Sequence, residues 1–168
     1  MQIFKVVLVG PTNVGKTSFV NYHIPPYSDS ITDRLSQANP LLFNEDPHVH
    51  VPTIGCEINP LVKDGVKYNL YDTSGDYSSF NIQDSLRNAH GAMIFCTPFD
   101  LQETVDHWSA FLPRIPYVIV IVKKKDDPIG DDNIHYLKNC DYDWCTISFR
   151  NSINMNDPFT ILKRKLLS

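Results

Sequence analysis

The feature that most constrains the fold lies near the start of the chain, where an apolar run meets a glycine-punctuated loop. Residues 4–9 are apolar and mostly β-branched or leucine, except for Lys5, and the run ends at Gly10. A short continuous apolar run of this kind predicts a strand buried on both faces. After the loop, residues 17–23 read as the start of a helix that stops before Pro25. Strand, loop and helix in this order indicate the first unit of a parallel α/β sheet.

The rest of the pattern fits the same architecture for one domain over residues 1–168. Two apolar runs, residues 54–62 and 66–71, flank Asp64-Gly65, which is a strong signal for a β-hairpin. Further strands are predicted at residues 91–97, 117–122 and 145–148, and further helices at 101–112 and 156–167. This alternation predicts a mostly parallel sheet with helices on both faces and one antiparallel edge strand. The helices are expected to bury Leu101, Val105, Trp108 and Leu112, and then Phe159, Ile161, Leu162 and Leu166.

Composition excludes several classes of protein. The chain is 42% hydrophobic and 20% charged, which is typical of a globular domain. Its net charge of -4 argues against a protein that binds the phosphate backbone of nucleic acids. No apolar run approaches the roughly 20 residues that span a bilayer, and Leu166-Leu167-Ser168 lacks the cysteine of a prenyl anchor. We therefore expect an intracellular protein with reduced cysteines and no membrane anchor. We also expect a monomer, in the cytoplasm or nucleus.

The loop after the first strand matches the pattern GxxxxGK[ST], with the sequence Gly10-Pro11-Thr12-Asn13-Val14-Gly15-Lys16-Thr17. Its glycines let the backbone wrap closely, so that successive N–H groups, including those of Asn13, Val14 and Gly15, point at phosphate oxygens. The helix that follows adds the positive end of its dipole. Lys16 is expected to contact the outer phosphates, and the Thr17 hydroxyl is expected to bind Mg²⁺. The alternative is a plain strand-to-helix turn with an exposed lysine.

Two further segments could sense the last phosphate of a bound nucleotide. Asp72-Thr73-Ser74-Gly75 follows a predicted strand, so Asp72 should lie at the ligand-binding edge of the sheet. We expect Asp72 to hold Mg²⁺ directly or through a water, and Gly75 to offer its backbone N–H to the phosphate. Thr53 could supply a second hydroxyl to the metal, although a threonine at the start of a strand would look the same.

Together these segments resemble the Ras superfamily of small GTPases, over essentially the whole chain. Within it the chain is most similar to the Ran subfamily, with Rab proteins next, through FKVVLVG at residues 4–10, TIGCEINPLV at 53–62, and DPF with KRKL between 157 and 166. The resemblance implies a P-loop NTPase small G domain with a six-stranded sheet. It implies switch segments near residues 24–53 and 75–90, and cycling between GTP-bound and GDP-bound forms. It also implies effector, exchange-factor and GAP proteins as partners, with nuclear-transport receptors among them by similarity to Ran.

The family reads guanine with an NKxD motif, and the best match here is Lys123-Lys124-Lys125-Asp126. Asp126 is expected to accept hydrogen bonds from the guanine N1–H and exocyclic amine, a donor pair that adenine lacks. Lys124 would pack along the base. Lys123 replaces the asparagine that braces the site in the family, and a one-residue shift to Asp127 stays open.

A second segment of the base site is Ser148-Phe149-Arg150, which resembles the family's SAK segment. Its contact with the base comes mainly from a backbone N–H, which Phe149 retains. Tyr27 and Phe43 are both candidates for the aromatic that stacks on the base. We expect guanine binding that is weaker and faster to exchange than usual in the family.

Asp76 follows the DTSG segment, where active family members usually carry glutamine. A glutamine amide can both accept a hydrogen bond from the attacking water and donate one toward the transition state, whereas a carboxylate only accepts. We therefore predict slow intrinsic hydrolysis, with Asp76, Lys16, Thr53 and Gly75 as the catalytic set. Asp76 acting as a general base is the alternative.

Two other classes of function stay open. The first is a GTP-binding interaction module with little or no hydrolysis, which Asp76, Lys123 and the long first switch at residues 24–53 favour. The second is a P-loop kinase, which needs arginines near the transferred phosphate. None of the arginines of this chain lies in a segment that resembles the lid of such a kinase, which argues against this alternative. The arginines are Arg34, Arg87, Arg114, Arg150 and Arg164.

Overall fold

The computed structural model describes residues 1–24, 55–75, 81–124 and 128–168. Within these ranges the strands are β1 Ile3–Val9, β2 Cys56–Lys63, β3 Val66–Thr73, β4 Gly91–Cys96, β5 Tyr117–Val122 and β6 Trp144–Ile147. The helices are α1 Lys16–His23, α2 Asn81–Leu86, α3 Leu101–Ser109, α4 Asp131–Asn139 and α5 Asp157–Leu167. The protein has an α/β fold.

The six strands form one sheet in the order β2-β3-β1-β4-β5-β6. All neighbouring pairs are parallel except β2 and β3, which form an antiparallel hairpin at one edge. Asp64 and Gly65 connect the hairpin, both with positive φ (48° and 75°), as a tight hairpin turn requires. The predicted mostly parallel sheet with one antiparallel edge strand is confirmed.

The core is divided by the sheet into two clusters, one on each face. Alternate residues of β1 join opposite clusters: Val6 and Leu8 lie in the first, and Val7 and Val9 lie in the second. Side chains of α1 and α5 complete the first cluster, and side chains of α2, α3 and α4 complete the second. Helices therefore cover both faces, as the sequence predicts. None of the helices in the described ranges has the length and apolar character needed to cross a membrane.

Most side chains predicted to face inward are buried. Leu101, Val105, Trp108 and Leu112 are at most 1% exposed, although α3 itself ends at Ser109. In α5, Phe159 and Leu162 are buried, whereas Ile161 and Leu166 are half-buried and pack against the same cluster. The prediction of the core is thus confirmed for both helices.

The two acidic pairs at residues 126–127 and 131–132 are typical of a solvated loop, but for Asp131 and Asp132 this sequence-based prediction is wrong. Both residues lie in the first turn of α4. Acidic side chains are favourable there because they meet the positive end of the helix dipole. Leu137 is fully buried and attaches the helix to the second cluster. The companion pair Asp126-Asp127 lies outside the described residues.

Candidate functional site

The carboxyl ends of β1 and β3 bring the predicted phosphate loop and Asp72 together. The two strands are parallel, and their register places Leu8 beside Asp72. The chain leaves β1 after Val9 and enters α1 at Lys16, so the loop lies at the same edge of the sheet as Asp72. Edges of this kind, at the carboxyl ends of parallel strands, are where α/β sheets bind ligands.

The backbone of the loop has positive φ at three positions, of which Gly10 (φ 138°) is the first. Asn13 has φ of 60°, and Gly15, which caps the start of α1, has φ of 112°. Asparagine tolerates a positive φ better than most residues, and glycine adopts one without steric cost. These three residues explain how the chain reverses from the end of a strand into the start of a helix within six positions.

Lys16 folds back onto this loop. Its Nζ donates hydrogen bonds to the carbonyl oxygens of Gly10 at 2.9 Å and Pro11 at 2.8 Å. The side chain is only 5% exposed. Burial lowers the pKa of Lys16 to about 8, although the negative charge of Asp72 acts in the opposite direction. A positive charge is therefore held inside the loop, which overturns the alternative of an exposed lysine on a plain turn.

Thr17 and Asp72 form a pair across the loop and the sheet. The Thr17 hydroxyl donates to Asp72 Oδ2 at 2.6 Å. The carboxyl is fully buried, and among the described residues its other oxygen, Oδ1, has no hydrogen-bond partner. Burial raises the pKa of Asp72, while the hydrogen bond from Thr17 and the charge of Lys16 act to lower it.

This pair fits a magnesium ion. A hydroxyl and a carboxylate are the oxygen ligands that Mg²⁺ prefers, and the ion usually keeps water or phosphate oxygens at its other positions. A buried carboxylate oxygen without a partner is unfavourable unless something satisfies it. Thr17 and Asp72 would thus hold the cation beside Lys16.

Gly75 packs directly on the loop. A Cβ atom at this residue would lie 2.1 Å from the nitrogen of Thr12 and 2.4 Å from the carbonyl carbon of Pro11. No side chain fits in that space, so the backbone after β3 approaches the loop only because residue 75 is glycine. The structure therefore brings Gly75 together with the loop.

The carboxyl ends of β5 and β6 form a second part of the site. Lys123 follows β5, and its backbone N–H donates to Ile147 at the end of β6 at 2.9 Å. A cavity of about 440 Å³ opens beside these ends, and Lys123, Lys124, Ser148 and Arg150 contribute to its lining. This volume is within the range of small-molecule sites, about 300–1,000 Å³. The two segments predicted to form a base site are thus adjacent.

Several predicted site residues lie outside the described part of the chain. These are Thr53, Asp76 and Asp126, together with Tyr27 and Phe43, the two candidates for stacking on the base. The nearest described neighbour of Thr53 is Gly55, whose carbonyl accepts a hydrogen bond from Ser74 N at 2.9 Å. The chain just after Thr53 is therefore attached to the end of β3, beside Asp72.

Sequence reasoning missed contacts that hold the site together. The buried Thr73 hydroxyl donates to the carbonyl of Leu8 at 2.6 Å, which fixes the end of β3 against β1. The ring of Phe149 lies against Gly15, at the start of α1. Both contacts join residues far apart in the chain, and no local pattern indicates them.

No protein-family model matches this chain.

Proposed function

We propose that the protein is a guanine-nucleotide-binding molecular switch that cycles between GTP and GDP, with slow intrinsic hydrolysis. The observation that carries the proposal is the group formed by Lys16, Thr17 and Asp72. A buried ammonium, a hydroxyl and a buried carboxyl with an unpartnered oxygen meet at the mouth of a strand-loop-helix turn. This is the set of groups that a Mg²⁺–polyphosphate requires.

In this proposal each residue has a role in binding. Backbone N–H groups of Asn13, Val14 and Gly15 take the phosphate oxygens, and Lys16 neutralises their charge. Mg²⁺ held by Thr17 and Asp72 would supply further neutralisation of the phosphate charge. Thr53 adds a ligand to the metal, and Gly75 donates its N–H to the terminal phosphate.

The base would lie at the ends of β5 and β6. Asp126 reads the guanine edge, Lys124 packs along the base, and the backbone N–H of Phe149 donates to the base oxygen. Ser148 and Arg150 shape the wall of the cavity. The presence of the terminal phosphate would order the segments around Thr53 and Gly75, and its loss would release them.

Slow hydrolysis follows from Asp76. A carboxylate cannot donate a hydrogen bond to the transition state, and it places a negative charge beside an anionic phosphate. An arginine supplied by a GAP protein would raise the rate by about 10³ to 10⁵. Exchange-factor and effector proteins, including nuclear-transport receptors, and a cytoplasmic or nuclear location belong to the same proposal.

A GTP-binding interaction module with little or no hydrolysis is the second candidate. Lys123 favours it, because this residue stands where the family has asparagine and it lines the base cavity. Such a module would hold GTP to present a surface, and its output would not depend on turnover.

The first experiment identifies the nucleotide that copurifies with the protein. Freshly purified protein is denatured, and the released nucleotide is separated by anion exchange, with Lys16→Ala as the matched control that should release none. Mostly GTP supports slow turnover. Mostly GDP would contradict the role assigned to Asp76, and no nucleotide together with no uptake of added GTP and Mg²⁺ would overturn the proposed function.

A single-turnover assay then separates the two candidates. Preloaded GTP should be hydrolysed slowly but faster than in buffer, and Asp76→Gln should accelerate it. A rate equal to that in buffer for both proteins would favour the interaction module.

A further inference from the structure

Another cavity opens at the amino ends of β5 and β6, at the opposite edge of the sheet from the phosphate loop. The segments that lead into these two strands line it, together with Lys165 of α5. Its volume is about 260 Å³. Drug-sized ligands occupy about 300–1,000 Å³, so this cavity would admit a smaller molecule. The proposed function leaves it without a role.

Two tyrosines give this cavity an aromatic corner. Tyr117 and Tyr142 both line it, and their ring centroids lie 6.0 Å apart with the ring planes at 48°. Rings tilted in this way form the two walls of a corner rather than a parallel stack. The face of an aromatic ring carries partial negative charge, so such a corner attracts a cation. Ile115 and Pro116 add apolar surface to the same lining.

The charged side chains of the lining leave one carboxylate for a ligand. Asp143 is already paired, because Arg164 contacts its Oδ1 at 3.0 Å and Lys165 Nζ bonds to its Oδ2. The pair with Asp143 also neutralises the ammonium of Lys165, which would otherwise repel a cation. Asp141 is in no ion pair with any residue of the described ranges. Its negative charge can therefore balance that of a bound cation.

The corner is ordered before any ligand arrives. The backbone N–H groups of Asp141 and Tyr142 donate to carbonyls in the last turn of α4 at 3.3 and 3.2 Å, with Asp141 at φ of 52°. The ring of Tyr142 also lies 6.0 Å from that of Tyr136, whose hydroxyl donates to Asp106 at 2.6 Å. A site that is already ordered loses less entropy when it binds a ligand.

We propose that this cavity binds a small organic cation with a methylated ammonium group. The faces of Tyr117 and Tyr142 would take the positive charge, Asp141 would balance it, and Ile115 and Pro116 would contact the methyl groups. A bare ammonium is strongly hydrated, so it would give up more than it gains in such a lining. The cavity is remote from the nucleotide site, and binding there does not depend on the proposed function.

A purely structural role for the tyrosines predicts a different result. Both rings pack against the second core cluster. A ring that only completes the core would not distinguish a charged ligand from a neutral ligand of the same shape. Discrimination by charge therefore separates the two roles.

The experiment compares choline with its neutral analogue, in which a carbon atom replaces the nitrogen. Each is titrated at constant salt into the isotopically labelled full chain, and NMR follows the amides of residues 140–143. Choline should bind with a dissociation constant on the order of 1–10 mM. The neutral analogue should bind at least about tenfold more weakly.

Three variants test the assigned contacts. Tyr142→Leu removes one ring face and should weaken the binding of choline at least about fivefold. Asp141→Asn removes the charge, keeps a residue that tolerates the left-handed backbone, and should weaken binding about threefold. Tyr22→Leu replaces a 45% exposed tyrosine of α1 and is the matched control, which should bind choline as the wild type does.

Equal affinity for choline and its neutral analogue would overturn the proposal, as would unshifted amides at residues 140–143 with choline at about 100 mM. Should Tyr142→Leu not fold, the comparison of the two ligands on the wild type decides. A peptide with one trimethyl-lysine then identifies the source of the group. Tighter binding than that of choline would support a protein partner, and weaker binding would support a free small molecule. Failure of GTP to bind would overturn the proposed function alone.

Discussion

Lys16 carries its positive charge in a place that water hardly reaches. Two carbonyl oxygens and a neighbouring carboxyl offset part of the loss of hydration, but burial still lowers its pKa to about 8. At a moderately alkaline pH, Lys16 therefore begins to lose the positive charge that a polyphosphate would need.

Nucleotide binding should therefore weaken as the pH rises through 8. The ligand binds the protonated lysine, so the dissociation constant for Mg²⁺–GDP should be about fourfold higher at pH 8.5 than at pH 7.0. Calorimetry in two buffers of different ionisation enthalpy should show about half a proton taken up per nucleotide at pH 8. A dissociation constant that does not change between these pH values would contradict the assignment of Lys16.

Burial shifts the pKa of Asp72 in the opposite direction from that of Lys16, because it raises the pKa of a carboxyl. The folded protein then holds a proton at pH values where the unfolded chain has lost it, so the free energy of unfolding falls as the pH rises through that window. Asp72→Asn cannot ionise, and its amide oxygen can still accept the hydrogen bond from Thr17. Without Mg²⁺, this variant should melt at a higher temperature than the wild type at pH 7, and the difference should narrow as the pH falls toward the ordinary pKa of an aspartate.

Asp72→Asn should also bind Mg²⁺ more weakly than the wild type. The concentration of Mg²⁺ that gives half-maximal nucleotide retention should rise at least about tenfold in Asp72→Asn. Unchanged Mg²⁺ dependence would mean that the unpartnered Oδ1 is not a ligand, whatever the melting temperatures show.

At the scale of the element, α5 shows how a helix supports the site from a distance. Leu162 is fully buried, and its Cδ1 would lie 3.1 Å from a Cβ atom at Gly91, the first residue of β4. A leucine in such a position leaves a cavity when it is truncated.

Leu162→Ala should lower the free energy of unfolding by about 2–5 kcal/mol in urea titration. Leu167 in the same helix is 47% exposed and is the matched control. Leu167→Ala should change stability by less than about 0.5 kcal/mol. Similar losses for the two variants would show that α5 does not pack on the sheet as described.

The elements that sequence predicts well are those whose side chains follow one clear period. The strand β1 and the buried face of α3 belong to this group, because each shows its pattern within a few residues. The helix α4 was not predicted, since Leu137 is its only fully buried apolar side chain and acidic residues open it. Short α2 was missed because six residues show too little of a helical period.

The candidate site was predictable to the same extent. The loop and Asp72 carry recognisable patterns, and parallel pairing explains why they meet. The contact of the Phe149 ring with Gly15 and the bond from Thr73 to Leu8 were not predictable. Each joins residues more than sixty positions apart, and their meeting depends on the whole sheet.

At the scale of the whole molecule, the sheet order places both halves of the site along one edge. The loop follows β1, near the middle of the sheet, while the cavity proposed to hold the base lies at β5 and β6. A ligand that spans these strands would join the two halves of the domain, so its binding should stabilise the whole fold rather than one loop.

Saturating Mg²⁺–nucleotide should therefore raise the melting temperature. At a ligand concentration 100 times the dissociation constant, linkage gives about 2.7 kcal/mol. For a domain of this size that is a rise of about 5–11 °C. Lys16→Ala should show almost no rise, and an equal rise in both proteins would place the ligand elsewhere.

The parallel pairing of β1 and β3 makes the site sensitive to the length of the coding sequence. Thr17 and Asp72 meet although they are 55 positions apart, because Leu8 lies beside Asp72. One extra codon between Val66 and Tyr71 would put Tyr71 beside Leu8 and turn the carboxyl to the other face of the sheet. Two extra codons would restore the face but carry the carboxyl about 6.6 Å along the strand. The position of the carboxyl thus depends on the number of residues between Val66 and Asp72.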